Sequence, residues 1–350
     1  MVYNFNIELQ NIESSLRKML PSQLSGEWNN SLFGLLPECV TTIHTSVLAD
    51  SGRNLIKLGG KRWRPLLLVL CAQAVADTED TPQAAYELAP LVELAHTASL
   101  IHDDIEDSAD TRRGAPAAHI VHGLDVALNA GTWMYFAASN AISNSGLNES
   151  QQLLLHRLYA RELRRLHLGQ AMDIMWHKDN TAIPTVAEYT AMVRLKTGTL
   201  ASLAAQVGII AGGGTESQAI EMGQVAGDIG IGFQVLDDVI NLTTGNSGKK
   251  RGDDIVEGKK SLPVLLHLAS CPEDFAKIMA SFQKAKEEGI ESSAVEECIQ
   301  IISSKGAIEK AKDMAALLIS EACAKTKQLY PNSIATDKIA ALFADMMGLN

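Results

Sequence analysis

Two long stretches, at about 82–109 and 215–243, keep apolar residues at helical spacing for most of their length and then run into acids, "IHDDIED" around Asp103 and "VLDDVIN" around Asp237. A helix apolar on nearly every side is stable only when packed among others like it, and the charges at its end must lie at the edge of that packing. The chain is thereby restricted to a bundle of long helices with charged mouths. Further helical stretches at about 65–77, 123–144, 150–176, 185–213, 261–270, 275–287, 291–304, 306–328 and 335–347 are separated by connections carrying Gly, Pro, Asn or Asp, the residues that stop helices. Ten prolines and 5% aromatic residues, with few alternating Val, Ile, Thr or Tyr runs, argue against a sheet. The expectation is an all-α, single-domain helical bundle. No low-complexity linker or internal repeat divides it, so residues 51–350 form one body. Residues 1–50, helical in "NIELQNIESSLRKML" and broken between Pro21 and Gly26, read as an N-terminal extension packed on that body.

The formal charge of -11 argues against a general nucleic-acid binder, which normally shows a basic domain or stripe. Five cysteines without a CxxC pair indicate neither a disulfide framework nor a structural zinc site. The start "MVYNFNIELQ" lacks a basic segment followed by an apolar one, and no stretch is apolar for long enough to span a bilayer. A cytoplasmic protein without a membrane span is expected.

On a helix, positions i and i+4 share a face, so Asp103 and Asp107 point the same way one turn apart. Such a pair is either a solvated helix end balanced by Arg112 and Arg113 or a site for a hard cation such as Mg²⁺. The second cluster favours the cation, because Asp237 and Asp238 follow the apolar "GIGFQVL" and Asn241 takes the i+4 place. An amide is a weaker ligand than a carboxylate, so this face should hold a single ion through Asp237. Cations recur close by. "KLGGKRWRP" puts two glycines before Lys61, Arg62 and Arg64, with Pro65 opening a helix, an arrangement suited to an anion. "RLKTGTL" supplies Lys196 and Thr197, and "GKKRGDDIVEGKKSLP" supplies Lys249 and Lys259. Carboxylates alternating with cations around an apolar interior fit metal-bridged diphosphates whose hydrocarbon parts enter the core. No P-loop or GxGxxG is present to indicate a nucleotide.

From about residue 55 to 270 the chain resembles the trans-prenyl diphosphate synthases, through "GGKRWRP", "HTASLIHDDIEDSADTRRG", "GQAMDI", "KTG", "GFQVLDDVIN" and "EGKKSLP" in the order found in that family. The resemblance implies an isoprenoid-synthase-type bundle around a deep central cavity, a homodimer, and head-to-tail condensation of isopentenyl diphosphate with an allylic diphosphate. It further implies two Mg²⁺ ions on Asp103 and Asp107, supported by Asp104, and a third on Asp237, with Asp238 nearby. Arg112, Lys196, Lys249 and Lys259 would hold the allylic diphosphate. Lys61, Arg64, His96 and Arg113 would hold isopentenyl diphosphate. Thr197 and Gln234 would lie beside the developing carbocation. "DDVIN", with Asn241 where many relatives carry a final Asp, is similar to the eukaryotic-type geranylgeranyl diphosphate synthases.

Product length follows from the side chains below the first acidic face. Ala95, Ala98 and Ser99 are small, so nothing on that helix stops the tail early, and Tyr135, Phe136 and His167 resemble the Tyr-Phe and His that form the cavity floor of eukaryotic-type geranylgeranyl diphosphate synthases, which implies the same place for them here. A twenty-carbon product is therefore expected. The alternatives are a synthase of products with thirty or more carbons, a non-catalytic subunit of a heteromeric synthase, and a class I terpene cyclase, which the "GGKRWRP" segment and Arg113 argue against.

Overall fold

The computed structural model describes residues 3–76, 80–179, 182–245 and 250–346, the side chain of residue 178 excepted. The all-α expectation holds. The only sheet among the described residues is a two-stranded hairpin, β1 (Thr111–Arg112) against β2 (Ala115–Pro116), in antiparallel register. The chain packs as two compact units. The first comprises Met1–Ala160, Leu203–Gly223 and Lys327–Leu342, and the second comprises Arg161–Ser202, Gln224–Thr326 and Phe343–Asn350.

Eighteen α-helices are described. The N-terminal ones are α1 (Asn6–Met19), α2 (Gly26–Phe33), α3 (Thr42–Lys57), α4 (Trp63–Ala76), α5 (Gln83–Glu106), α6 (Ala118–His122), α7 (Leu124–Ala138) and α8 (Asn140–Ser143). Then come α9 (Glu149–Lys178), α10 (Val186–Val193), α11 (Thr199–Ala211), α12 (Glu216–Thr243), α13 (Asp253–Glu257) and α14 (Leu262–Ser270). The series ends with α15 (Phe275–Glu288), α16 (Ser293–Ser303), α17 (Ala307–Leu329) and α18 (Ile334–Met346).

In the first unit α5 is the axis, with α1, α3, α4, α7 and α8 packed on it. Leu88, Leu91, Leu94, Ala95, Ala98 and Ile101 have no exposed surface, so α5 is buried on most sides until it reaches its acids. Each fully buried Leu or Ile contributes about 1.5–3 kcal/mol of transfer free energy. The extension forecast for residues 1–50 lies in this same unit, with Ile12 and Leu16 of α1 buried against it. Where α11 meets α4, the backbones touch. A Cβ added to Gly208 would lie 2.2 Å from the carbonyl oxygen of Leu68, and one on Gly212 would lie 2.5 Å from that of Ala72.

In the second unit the expected single helix at 185–213 is interrupted by a π-helical turn at Arg194–Gly198. Such turns displace one residue and recur at functional positions. This one is wedged between glycines. A Cβ on Gly169 of α9 would come 2.3 Å from the Lys196 amide nitrogen, and one on Gly230 of α12 would come 2.6 Å from Gly198 Cα. The glycine of "GQAMDI" is thus explained by a close approach of backbone rather than by a ligand.

Because the partner at Gly208 is a backbone oxygen that no side-chain rotation can move, Gly208→Ala is expected to destabilise the chain by about 1–3 kcal/mol, the usual range for overpacking. Chemical denaturation with the m-value held fixed measures this. An unchanged midpoint would show that α4 and α11 separate at no cost.

Candidate active site

The first acidic face forms where α5 ends. Asp107 is its C-cap, and Asp103 and Asp107 are half-buried, whereas Asp104 is 1% exposed. The hairpin sends a cation back to this acid. Arg113 (φ 54°) and Gly114 (φ 76°) both occupy the left-handed region, the signature of a tight two-residue hairpin turn. The turn folds Arg112 over the helix end, where its Nε donates to Asp104 Oδ1 at 2.7 Å and its Nη2 donates to the same oxygen. Arg112 Nη2 also lies 3.6 Å from Asp103 Oδ2. Burial pushes the Asp104 carboxyl up, while the Arg112 hydrogen bonds and charge oppose the shift. Arg112 is therefore committed chiefly to Asp104, and Asp103 and Asp107 stay at the rim.

The glycine-rich turn between α3 and α4 distributes its cations unequally. Lys61 is exposed, Arg62 is 5% exposed, and Arg64 is half-buried with its guanidinium 4.3 Å above the Trp63 ring. Arg64 Nη1 lies 3.4 Å from His96 Nε2. Burial, together with the arginines around it, holds the His96 imidazole well below its usual range, so the neutral ring accepts from Arg64. Burial also draws the Arg64 guanidinium down to about 10, against the pull of Glu93. Arg113 Nη1 donates to the carbonyl oxygens of Leu55, at 3.1 Å, and of Gly59. Lys61, Arg64, His96 and Arg113 thus belong to one neighbourhood of the first unit.

The second unit contains an open cleft of about 470 Å³ lined by Asp173, His177, Tyr189, Lys196, Thr197, Gln234, Asp237, Asp238, Asp254, Lys259 and Lys260. The π turn presents Lys196, whose Nζ donates to Asp173 Oδ2 at 2.6 Å. His177, one turn after Asp173, approaches the other carboxylate oxygen at 2.9 Å. Burial alone would raise the Asp173 carboxyl, but Lys196, His177 and Lys259 hold it far below the usual range. Lys259 is paired with Glu257 and lies 3.8 Å from Asp254. Thr197 Oγ1 donates to Gln234 Oε1 at 2.9 Å, and Gln234 Nε2 donates to Asp238 Oδ1 at 3.2 Å.

Adjacent acids on α12 differ sharply. Asp237 is half-buried on the cleft wall, while Asp238 is buried and accepts from the Tyr189 hydroxyl at 2.5 Å and the Leu262 amide at 3.1 Å. Burial, with Asp254 close by, pushes the Asp238 carboxyl up to about 7, although the Tyr189, Gln234 and Leu262 hydrogen bonds favour its charged form. Asp238 secures the start of α14. Asn241 is buried too, and its Oδ1 accepts from the Asp254 amide at 3.2 Å. It fastens α13 to α12.

Phe136 is 73% exposed and His167 is exposed, so neither lines the interior of its own unit. Tyr135 is buried, but its ring packs edge-on against His102 at 5.6 Å, beside the acidic end of α5 rather than deep below it. Ala98 has no exposed surface, whereas Ser99 is half-buried and shares the Asp103 face at i−4. Lys249 lies outside the described residues. The sequence reading passed over Asp173, His177, Tyr189, Asp254 and Lys260. Only Asp173 and His177, at i and i+4 in and just after "GQAMDI", left a local signal.

Comparison with known proteins followed this geometry. The family model described as polyprenyl synthetase matches residues 45–302. The chain is 34% identical over 281 residues to the geranylfarnesyl diphosphate synthase of Aeropyrum pernix, covering 79% of this chain and 85% of that protein. It is 31% identical over 278 residues to the nonaprenyl diphosphate synthase of Mycobacterium tuberculosis, covering 79% of each. Among solved structures, the geranylgeranyl pyrophosphate synthetase of Pyrococcus horikoshii superimposes with a TM-score of 0.82 at 27% identity, over 97% of this chain and 96% of that one.

Proposed function

The chain belongs to the polyprenyl synthetase family of prenyltransferases, and from that premise we propose that it joins isopentenyl diphosphate head-to-tail to an allylic diphosphate (dimethylallyl, geranyl or farnesyl) and carries the product to geranylgeranyl diphosphate. The observation that carries this reading is the division of charge at the end of α5, where Arg112 occupies Asp104 and leaves Asp103 and Asp107 at the rim.

The donor set fits Mg²⁺, since Asp103, Asp107 and Asp237 offer only hard carboxylate oxygens, none of them sunk in the core. In this reading Asp103 and Asp107 hold two ions and Asp237 a third. Bound there, Mg²⁺ would offset the charge of the departing diphosphate. Arg112, Lys196 and Lys259 bind the allylic diphosphate, with Lys249 of the neighbouring segment assigned to the same task from its sequence position. Each of the first three has a carboxylate partner that already fixes its head group. Lys61, Arg64, His96 and Arg113 bind isopentenyl diphosphate. Thr197, donating its proton to Gln234, turns oxygen lone pairs outward to the allylic carbons as positive charge develops. The homoallylic double bond closes the new C–C bond, and the released diphosphate takes the proton.

Growth past fifteen carbons is supported by the small Ser99 on the Asp103 face and by the absence of an aromatic side chain at the preceding positions Ala95 and Ala98, and the stop at twenty is supported by the likeness to the structure named geranylgeranyl pyrophosphate synthetase. A second copy of the chain is the proposed partner, since Leu124, Leu128 and Phe136 expose one apolar stripe along α7.

Three outcomes test the reading. Asp103→Ala and Asp237→Ala should each lower the condensation rate about a thousandfold, and excess chelator should abolish it. Near-normal turnover in any of these conditions contradicts the assignment. Ser99→Phe should stop growth at the fifteen-carbon product, whereas the wild type with excess isopentenyl diphosphate should accumulate the twenty-carbon one. Unchanged chain lengths would place the control elsewhere. Leu128→Lys should sediment at the mass of one chain and the wild type at that of two, and a monomeric wild type would exclude the dimer.

A further inference from the structure

The middle cation of "GGKRWRP" is held inside the protein by two carboxylates and a backbone carbonyl. Arg62 is 5% exposed and holds φ 48°, a left-handed conformation that a side chain other than glycine adopts only under constraint. Its constraints are visible. Nε donates to Glu13 Oε1 at 2.7 Å, Nη1 to Glu93 Oε1 at 2.8 Å, and Nη2 to the Ile56 carbonyl oxygen at 2.7 Å. Nη1 also reaches the Gly59 carbonyl oxygen at 3.3 Å.

Arg113 hangs from the same turn, donating to the carbonyl oxygens of Leu55 and Gly59. It too has a left-handed backbone, and a Cβ on Gly60 would come 3.0 Å from its Nη2. Two arginines from different parts of the chain therefore bind the carbonyls of Leu55, Ile56 and Gly59 at and just after the end of α3, where Ile56 also accepts from the Gly59 amide at 3.0 Å. Arg113 repels both Arg62 and Arg64, and Glu93 on α5, 2% exposed, meets Arg62 at 2.8 Å and attracts Arg64 and Arg113 as well. Glu93 also stands one turn before His96, which meets Arg64.

We propose that Glu93 is a positioning residue for the isopentenyl diphosphate half-site, pinning Arg62 and through it the Leu55–Gly60 turn, so that Arg64 and Arg113 keep the spacing that a diphosphate requires. The proposal rests on the assignment of Lys61, Arg64, His96 and Arg113 to that substrate. Glu93 touches no reacting atom. Its effect passes through the arginines, and it differs from a general stabilising ion pair in falling on one substrate only.

Steady-state kinetics with each substrate varied in turn, beside thermal melting, test it in four variants. Glu93→Gln keeps the shape and removes the charge. It should raise the KM for isopentenyl diphosphate about tenfold or more, leave the KM for the allylic diphosphate within about twofold, and change kcat little. Glu93→Asp keeps the charge but withdraws it by one methylene, and should fall between Glu93→Gln and wild type. The double variant Arg62→Met with Glu93→Met replaces the buried pair by apolar groups, so it is expected to fold even where Glu93→Gln, which leaves Arg62 with Glu13 as its carboxylate partner, does not. It should still show the raised KM for isopentenyl diphosphate. A wild-type value in the double variant, or an equal rise in both KM values in Glu93→Gln, would overturn the proposal while leaving the half-site intact. Arg64→Ala is the parallel control. If it does not raise the KM for isopentenyl diphosphate, the half-site assignment itself fails and the role of Glu93 fails with it.

Discussion

The ion pair between Asp104 and Arg112 is the contact on which the charged end of α5 depends. Three aspartates within one and a half turns of an otherwise apolar helix repel one another, and the one that cannot reach water must find a cation. Asp104, almost wholly buried, takes Arg112 from the hairpin that follows, and two donors of one guanidinium meet a single carboxylate oxygen. That contact sets the return path of the hairpin and, one residue further, the direction of Arg113. It also decides which of the three aspartates remain for chemistry, since Asp103 and Asp107 keep part of their surface exposed and Asp104 does not.

The same rule recurs wherever charge approaches the core. Asp173 is buried between Lys196 and His177, Arg62 lies between Glu13 and Glu93, and Asp238 is surrounded by the Tyr189 hydroxyl, the Gln234 amide and the Leu262 amide. Where charged residues of like sign cluster in sequence, one is consumed by structure and its neighbour is left at the surface of a cleft or rim. Asp104 beside Asp103, Asp238 beside Asp237 and Arg62 between Lys61 and Arg64 follow this division. Removing a consumed partner would leave an uncompensated buried charge, which is why these positions are as demanding as those that meet substrate.

The helices were legible because their signals are local: apolar residues at helical spacing, closed by Gly, Pro, Asn or Asp. Most stretches forecast from the sequence appear within a few residues of the observed helices. The acids of both motifs were legible for the same reason, as charge inside an apolar pattern cannot be overlooked. What the sequence did not disclose depends on contacts between distant segments. The π turn at Arg194–Gly198 exists because Gly169 and Gly230 let backbones press on it. Which of Tyr135 and Phe136 is buried is a question of direction, and adjacent residues of like type carry no periodic signal to settle it. Asp173 was visible only as part of a recognised motif until Lys196 and His177 were seen to converge on it.

The central claim is that these charges serve a condensation between two diphosphates. Incubating the chain with Mg²⁺, isopentenyl diphosphate and labelled farnesyl diphosphate, then removing the phosphates and weighing the labelled alcohol, tests it most directly. The account predicts an alcohol heavier than farnesol by one five-carbon unit, formed with an equal amount of inorganic diphosphate. Recovery of unchanged farnesol, or of a cyclised hydrocarbon formed without isopentenyl diphosphate, would contradict it.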